Sequence, residues 1–331
     1  MIDRTLMLVL TLVIVLLASP LAATAQPAGK PPRIGILWPW APSATTAYAN
    51  ALREGLRDSG YVEGQNLETE WRFAERGETQ RLPELAAELV ARKVAVIVAP
   101  NTPAALAARD ATKIIPIVFV LVQDPVGTGL VTSLARPGGN LTGLTNISPD
   151  ITGKRLALLK EAVPRATRVA VLTNPTRALT NAQVLEEAAP AARSLGFQLR
   201  IVEAGDPAGF GRAFATMKRE RSDALLIVGD TMFYAQAAPL AELALKTRLP
   251  SIGWAKEIAE AGHLLSYGPN QSDLLRRSGN YVARILGGAR PSDLPVEQPT
   301  RIELVINAKT ARALGLTIPP SLLLRADQII E

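Results

Sequence analysis

The chain has 331 residues, 48% of them hydrophobic, 20% charged and 5% aromatic, with 36 basic against 30 acidic side chains and a formal net charge of +6. That is long enough for two ordinary domains and too apolar for a disordered chain. The basic residues are scattered, which excludes a nucleic-acid-binding arm; the lack of cysteine excludes disulfides, thiol catalysis, thiolate metal sites and a lipid on an N-terminal cysteine.

In chain order, Arg4 precedes an apolar run from Leu6 to Leu17, and Ala23-Thr24-Ala25 closes the segment. A basic start, short apolar core and A-x-A exit predict a secretory signal peptide over residues 1–25. Cleavage after Ala25 would leave a mature chain beginning at Gln26 in the periplasm. The run is shorter than a spanning helix requires, and no later segment is longer, so no membrane span is expected in the mature chain.

A βα rhythm follows. Arg33 to Trp38 reads as a strand, and Tyr48, Ala51, Leu52, Gly55 and Leu56 keep helical spacing up to Gly60. Asn66 to Phe73 alternates like a strand. Leu82, Leu85, Ala86, Leu89 and Val90 mark the next helix. Val94 to Ala99 and Ile115 to Val120 are continuous apolar runs, as in strands buried on both faces of a parallel sheet.

The stretch from Pro125 to Pro149 breaks this rhythm with clustered glycines and reads as a loop-rich connection. Strand starts then recur near Arg168, Phe197, Ala224 and Leu249, roughly 130 residues after their counterparts, with helical patterns between them. The prediction is an α/β chain of two similar doubly wound parallel-sheet lobes joined by a multi-strand hinge. The expected first lobe takes residues 33–147 plus about 265–290, and the second takes 148–253 plus about 295–331. Crossings between lobes are placed near Asn146 to Asp150 and after Gly253, with the helix from Ser272 to Leu286 returning to the first lobe.

The familiar catalytic signatures are missing. His263 is the single histidine, and no H-E-x-x-H, G-x-S-x-G or G-x-x-x-x-G-K-[ST] occurs. Trp38-Pro39-Trp40 follows the first strand in place of G-x-G-x-x-G. No nucleophile and base can be paired, so neither an enzyme nor a cofactor or metal is expected.

In open α/β sheets, ligands bind beyond the carboxyl ends of the strands. The residues there are the candidates for a ligand shared between two facing lobes. Trp38 and Trp40 would form an apolar wall, or pack on the neighbouring helix. Asn101 and Thr102, just before Pro103, have helix-start chemistry: they cap free backbone N–H groups that a ligand carboxylate would also suit. Asp124 would hold an ammonium or hydroxyl, or cap the turn before Pro125. In the second lobe the candidates are Asn174, Asp230 and Thr231, which are also cap residues, and the aromatic Trp254 and Tyr267, which also suit a core.

Two stretches carry a family resemblance. DPVGTGLVTSLARPGGNLTG, residues 124–143, and NAKTARALGLTIPPSLLLRAD, residues 307–327, resemble the ABC-transporter substrate-binding protein family of the tryptophan/tyrosine type. RIGILW and LREGLRDSGYVEGQNL match in kind, so the resemblance runs from about Arg33 to the end. It implies a type I periplasmic-binding-protein fold, a ligand in the cleft and no catalysis. By position it points to Asn101, Thr102, Asp124, Asn174, Asp230 and Tyr267. It departs at WPWAPSATT after the first strand, so the amino acid of the family label is not carried over.

The expected function is therefore capture of a small organic solute, such as an amino acid or related compound, by a monomer. The solute would be handed to an ABC permease in the inner membrane and its ATPase. The alternatives are a ligand-sensing domain for a receptor kinase, or a secreted α/β enzyme that uses carboxylates alone.

Overall fold

The computed structural model describes residues 30–39, 46–74, 79–146 and 151–331. The predicted signal peptide, residues 1–25, lies outside them. The elements of the first half are β1 (Arg33–Trp38), α1 (Thr46–Asp58), β2 (Glu68–Phe73), α2 (Leu82–Ala91), β3 (Val96–Pro100), α3 (Thr102–Ala111), β4 (Ile117–Val122) and β5 (Leu141–Thr145). The strands form one parallel sheet in the order β2-β1-β3-β4-β5.

Next come α4 (Ile151–Ala162), β6 (Arg168–Thr173), α5 (Ala178–Ser194), β7 (Gln198–Glu203), α6 (Phe210–Arg219), β8 (Ala224–Ile227), α7 (Thr231–Ala235), α8 (Ala237–Lys246), β9 (Ser251–Gly253), α9 (Lys256–Glu260) and β10 (Leu265–Pro269). The chain ends with α10 (Gln271–Leu286), β11 (Ile302–Asn307), α11 (Ala308–Leu314), α12 (Pro320–Leu323) and β12 (Gln328–Ile330). The second sheet runs β7-β6-β8-β9-β10-β11-β12. Its first five strands repeat the order of the first sheet, and only the β10–β11 pair is antiparallel.

Each sheet is covered on both faces, which is why its central strands are apolar throughout. In the first lobe, Ile34 and Ile36 face Leu52 and Leu56 of α1 and Leu274, Val282 and Ile285 of α10, while Leu37 and Ile97 face α2 and α3. In the second, Val169 and Val171 face α4, and Ala170 and Leu172 face α6 and α8.

Three expectations are corrected. The glycine-rich stretch before Pro149 is not all loop, because Leu141–Thr145 pairs with β4 as the fifth strand. The chain does not leave the second lobe after Gly253: β10 pairs in parallel with β9, so residues 265–269 belong to the second sheet. The departure comes after Pro269, where α10 packs on α1. Val296 and Glu297 still sit with the first lobe, since Glu297 N donates to Gly143 O at 3.0 Å and Val296 joins the first-lobe core. The chain re-enters the second lobe between there and β11, beyond the predicted 295.

Candidate functional site

The carboxyl ends of β3 and β4 face those of β8 and β9, and the residues just past each strand meet between the lobes. Asn101, Thr102 and Gln123 come from the first sheet edge, and Gly229, Asp230 and Trp254 from the second. They line a cavity of about 50 Å³. Beyond Gln123 and Gly229 lies a second chamber of about 70 Å³, with Asn146 and Trp254 as further shared walls and Arg155 of α4 at its side. On the outer side, Arg177, Asp230 and Thr231 continue into a pocket of about 360 Å³ that also reaches Asn174.

The two edges touch directly. Asn101 Nδ2 donates to Thr231 Oγ1 at 3.2 Å, and Gln183 Nε2 of α5 donates to Asp124 Oδ2 at 2.7 Å. The Gln123 amide bridges to Gly229 O at 3.4 Å and so separates the two chambers. A hydrogen bond that long is weak. The lobes are closed on one another in this arrangement.

Local structure fixes the polar groups. Asn101 adopts φ 71°, and its Oδ1 accepts from Ala104 N at 3.0 Å, capping α3. Leu121, also on the cavity wall, has φ 59°. Left-handed backbone at non-glycine residues is strained by roughly 1–3 kcal/mol and concentrates at functional sites. Asp230 Oδ1 accepts from Met232 N at 2.8 Å and Phe233 N at 3.3 Å, capping α7, and its Oδ2 accepts from Asn174 Nδ2 at 3.2 Å.

Two ionisable groups lie close to where the lobes meet. Burial pushes the Arg155 guanidinium down to about 10, so it stays cationic at neutral pH, and its Nε donates to Tyr267 O at 2.7 Å. Glu257 of α9 lies by Tyr48 and Tyr234; burial holds its carboxyl above the usual range. Tyr48 Oη donates to Gln271 Oε1 at 2.9 Å, and burial raises the phenol well above its ordinary value. Among the described residues no group of three or more His, Asp or Glu is placed to hold a metal ion. His263 is buried in the second lobe, between Ser251 and the Ala237 carbonyl, away from the cleft.

Of the sequence candidates, Asn101, Thr102, Asp230, Thr231 and Trp254 come together at the cavity, and Asn174 stands behind Asp230. Asp124 instead fastens the lobes through Gln183 and caps its turn by accepting from Gly127 N at 2.7 Å. Trp38 is corrected: it is 0% exposed and packs on Trp71 with centroids 5.6 Å apart, because its strand position faces the helical layer. Tyr267 is also corrected: its half-buried ring packs on the second-lobe core, and only its carbonyl serves Arg155. Trp40 lies outside the described residues. Sequence reasoning missed Asn146, Arg155, Arg177, Tyr234 and Gln271. Arg155 had one signal, a lone cation on the helix face of Leu156 and Leu159.

A family model for ABC transporter substrate binding proteins matches residues 33–330. A tyrosine-binding protein of Clostridioides difficile is 29% identical over 266 residues, 80% of this chain and 75% of that one. The structure of an ABC domain in complex with L-Trp from Streptococcus pneumonia superposes with a TM-score of 0.84 at 27% identity, over 91% of this chain and all of that one. A ligand-free, open substrate binding protein with adhesive properties from Clostridium difficile gives 0.68 at 26% identity, over 90% and 99%. The fold is that of the type I periplasmic binding proteins. With the match running from β1 through β12, the chain belongs to the ABC transporter substrate-binding protein family.

Proposed function

We propose that the protein is the periplasmic binding component of an ABC importer. It captures a small organic solute, an amino acid or a close relative, and delivers it to a membrane permease driven by a separate ATPase. The observation that carries this reading is a cavity built from both lobes, with Asn101 and Thr102 on one wall and Asp230 and Trp254 on the other. A ligand contacting both walls favours the closed state, because only that state offers both sets of contacts. The tyrosine-binding relative and the L-Trp complex support an amino acid over a sugar. The reading includes export by residues 1–25, a monomeric mature chain and binding without turnover.

Thermal-shift and calorimetric titration of the mature chain against amino acids, organic acids and sugars tests it. One chemical class should raise the melting temperature by several degrees at millimolar concentration. If every class leaves melting unchanged, or if a bound solute is chemically converted, the reading falls.

A further inference from the structure

The geometry points to Arg155 as the receptor for an oxyanion of the bound solute, with the second chamber taking a carboxylate that carries an N–H or O–H donor on its adjacent carbon. This rests on the solute-binding reading above and names the head group it selects.

Arg155 is 7% exposed and sits on the inner face of α4 beside Leu156 and Leu159. Among the described residues no carboxylate comes within 4.0 Å of its guanidinium. The acidic group that acts on it, Glu187, lines the same chamber and accepts from Thr152 Oγ1 at 2.8 Å. A buried cation without an ion pair is costly, and folded proteins keep such charges where a partner completes them. The single hydrogen bond from Nε to the Tyr267 carbonyl fixes the plane of the guanidinium. A planar fork held at one nitrogen suits a carboxylate better than a point cation would.

The rest of the chamber supplies the opposite polarity. Gln123 Oε1 and Asn146 Oδ1 are buried acceptors without a hydrogen-bond partner among the described residues, and both residues wall the two chambers. Buried acceptors call for donors. An α-amino or α-hydroxy acid brings a carboxylate and a donor within one bond of each other. Its side chain then extends past Gln123 towards Trp254 and the first cavity.

The experiment uses the full mature chain and calorimetric titration with L-tyrosine, L-leucine and L-lactate, each beside its carboxamide, and with tyramine. At least one acid should bind, and its carboxamide should bind at least 100-fold more weakly. Arg155→Gln should weaken the acid at least 100-fold and abolish its thermal shift while the ligand-free melting temperature holds or rises, since a buried charge is removed. Arg155→Lys should recover part of the affinity. The inference is overturned if Arg155→Gln binds the acid as tightly as the parent, or if the carboxamide or tyramine binds as well as the acid. Should Arg155→Gln not fold, the acid and carboxamide pair on the parent protein decides. Binding of sugars alone sinks the inference and spares the solute-binding reading; binding of no solute at all sinks both.

Discussion

The ring of Tyr48 lies over the ring of Tyr234 with centroids 5.9 Å apart and planes 27° from parallel, one ring from α1 of the first lobe and the other from α7 of the second. Glu257 from α9 completes the contact, lying against both phenols with the Tyr48 hydroxyl acting on it through a hydrogen bond. Closure thus brings a carboxyl group out of water against two phenols that belong to opposite lobes.

The sign of the pH effect follows. Burial raises the Glu257 carboxyl above its ordinary value, opposed by the Tyr48 hydroxyl and Lys256 and reinforced by Glu260. A group whose pKa is raised in the closed state contributes stability that is complete below its open-state pKa and is lost as pH climbs through the raised value. The closed population should therefore grow as pH falls from above the raised value towards the ordinary carboxylate range. Small-angle scattering across that range should show a smaller radius at the acid end for the parent protein and a flat, closed profile for Glu257→Gln. Expansion on acidification, or an unchanged slope in the variant, would contradict this.

Asp230 serves the fold and faces the cavity at the same time. Removing both capping bonds and the Asn174 contact by Asp230→Ala should cost about 1–2 kcal/mol in urea unfolding. Asp230→Asn keeps an oxygen for the Met232 and Phe233 amides and should restore most of that loss. If the carboxylate also meets a polar group of the bound solute, both variants should lose affinity alike by calorimetry. Full binding by Asp230→Asn would leave the residue a helix cap only.

The sequence shows most readily what local chemistry dictates. β3 and β4 are legible because strands buried on both faces have no polar alternation to hide them. Asn101 and Asp230 are legible because a helix start needs a capping side chain wherever it falls. β5 is not, since L-T-G-L-T has no apolar run and Gly143, at φ 154°, approaches the Phe119 carbonyl too closely for a side chain. The return to the first lobe was placed too early because β9 and α9 are only three and five residues long. Arg155, Tyr234 and Gln271 reach the cleft from helices, so their roles depend on tertiary packing. Trp38 misled for the converse reason: it ends a strand, but its side faces the helical layer.

The return of α10 to the first lobe rests on two glycines. A Cβ on Gly55 of α1 would stand 1.7 Å from the Arg276 carbonyl oxygen, and one on Gly279 of α10 would stand 2.3 Å from the Gly55 carbonyl carbon. The helix backbones touch there, and no rotamer change relieves a clash with backbone. Helix propensity alone predicts that Gly279→Ala stabilises by about 1 kcal/mol. Overpacking predicts the opposite sign, a loss of about 1–3 kcal/mol or more as α1 and α10 are forced apart. Gly211 of α6 is the control, because a Cβ there meets nothing within 4 Å. Urea unfolding of the two alanine variants should move the midpoint down for Gly279 and slightly up for Gly211. An upward shift at both positions would mean that the close approach of α1 and α10 is not what holds the returning helix.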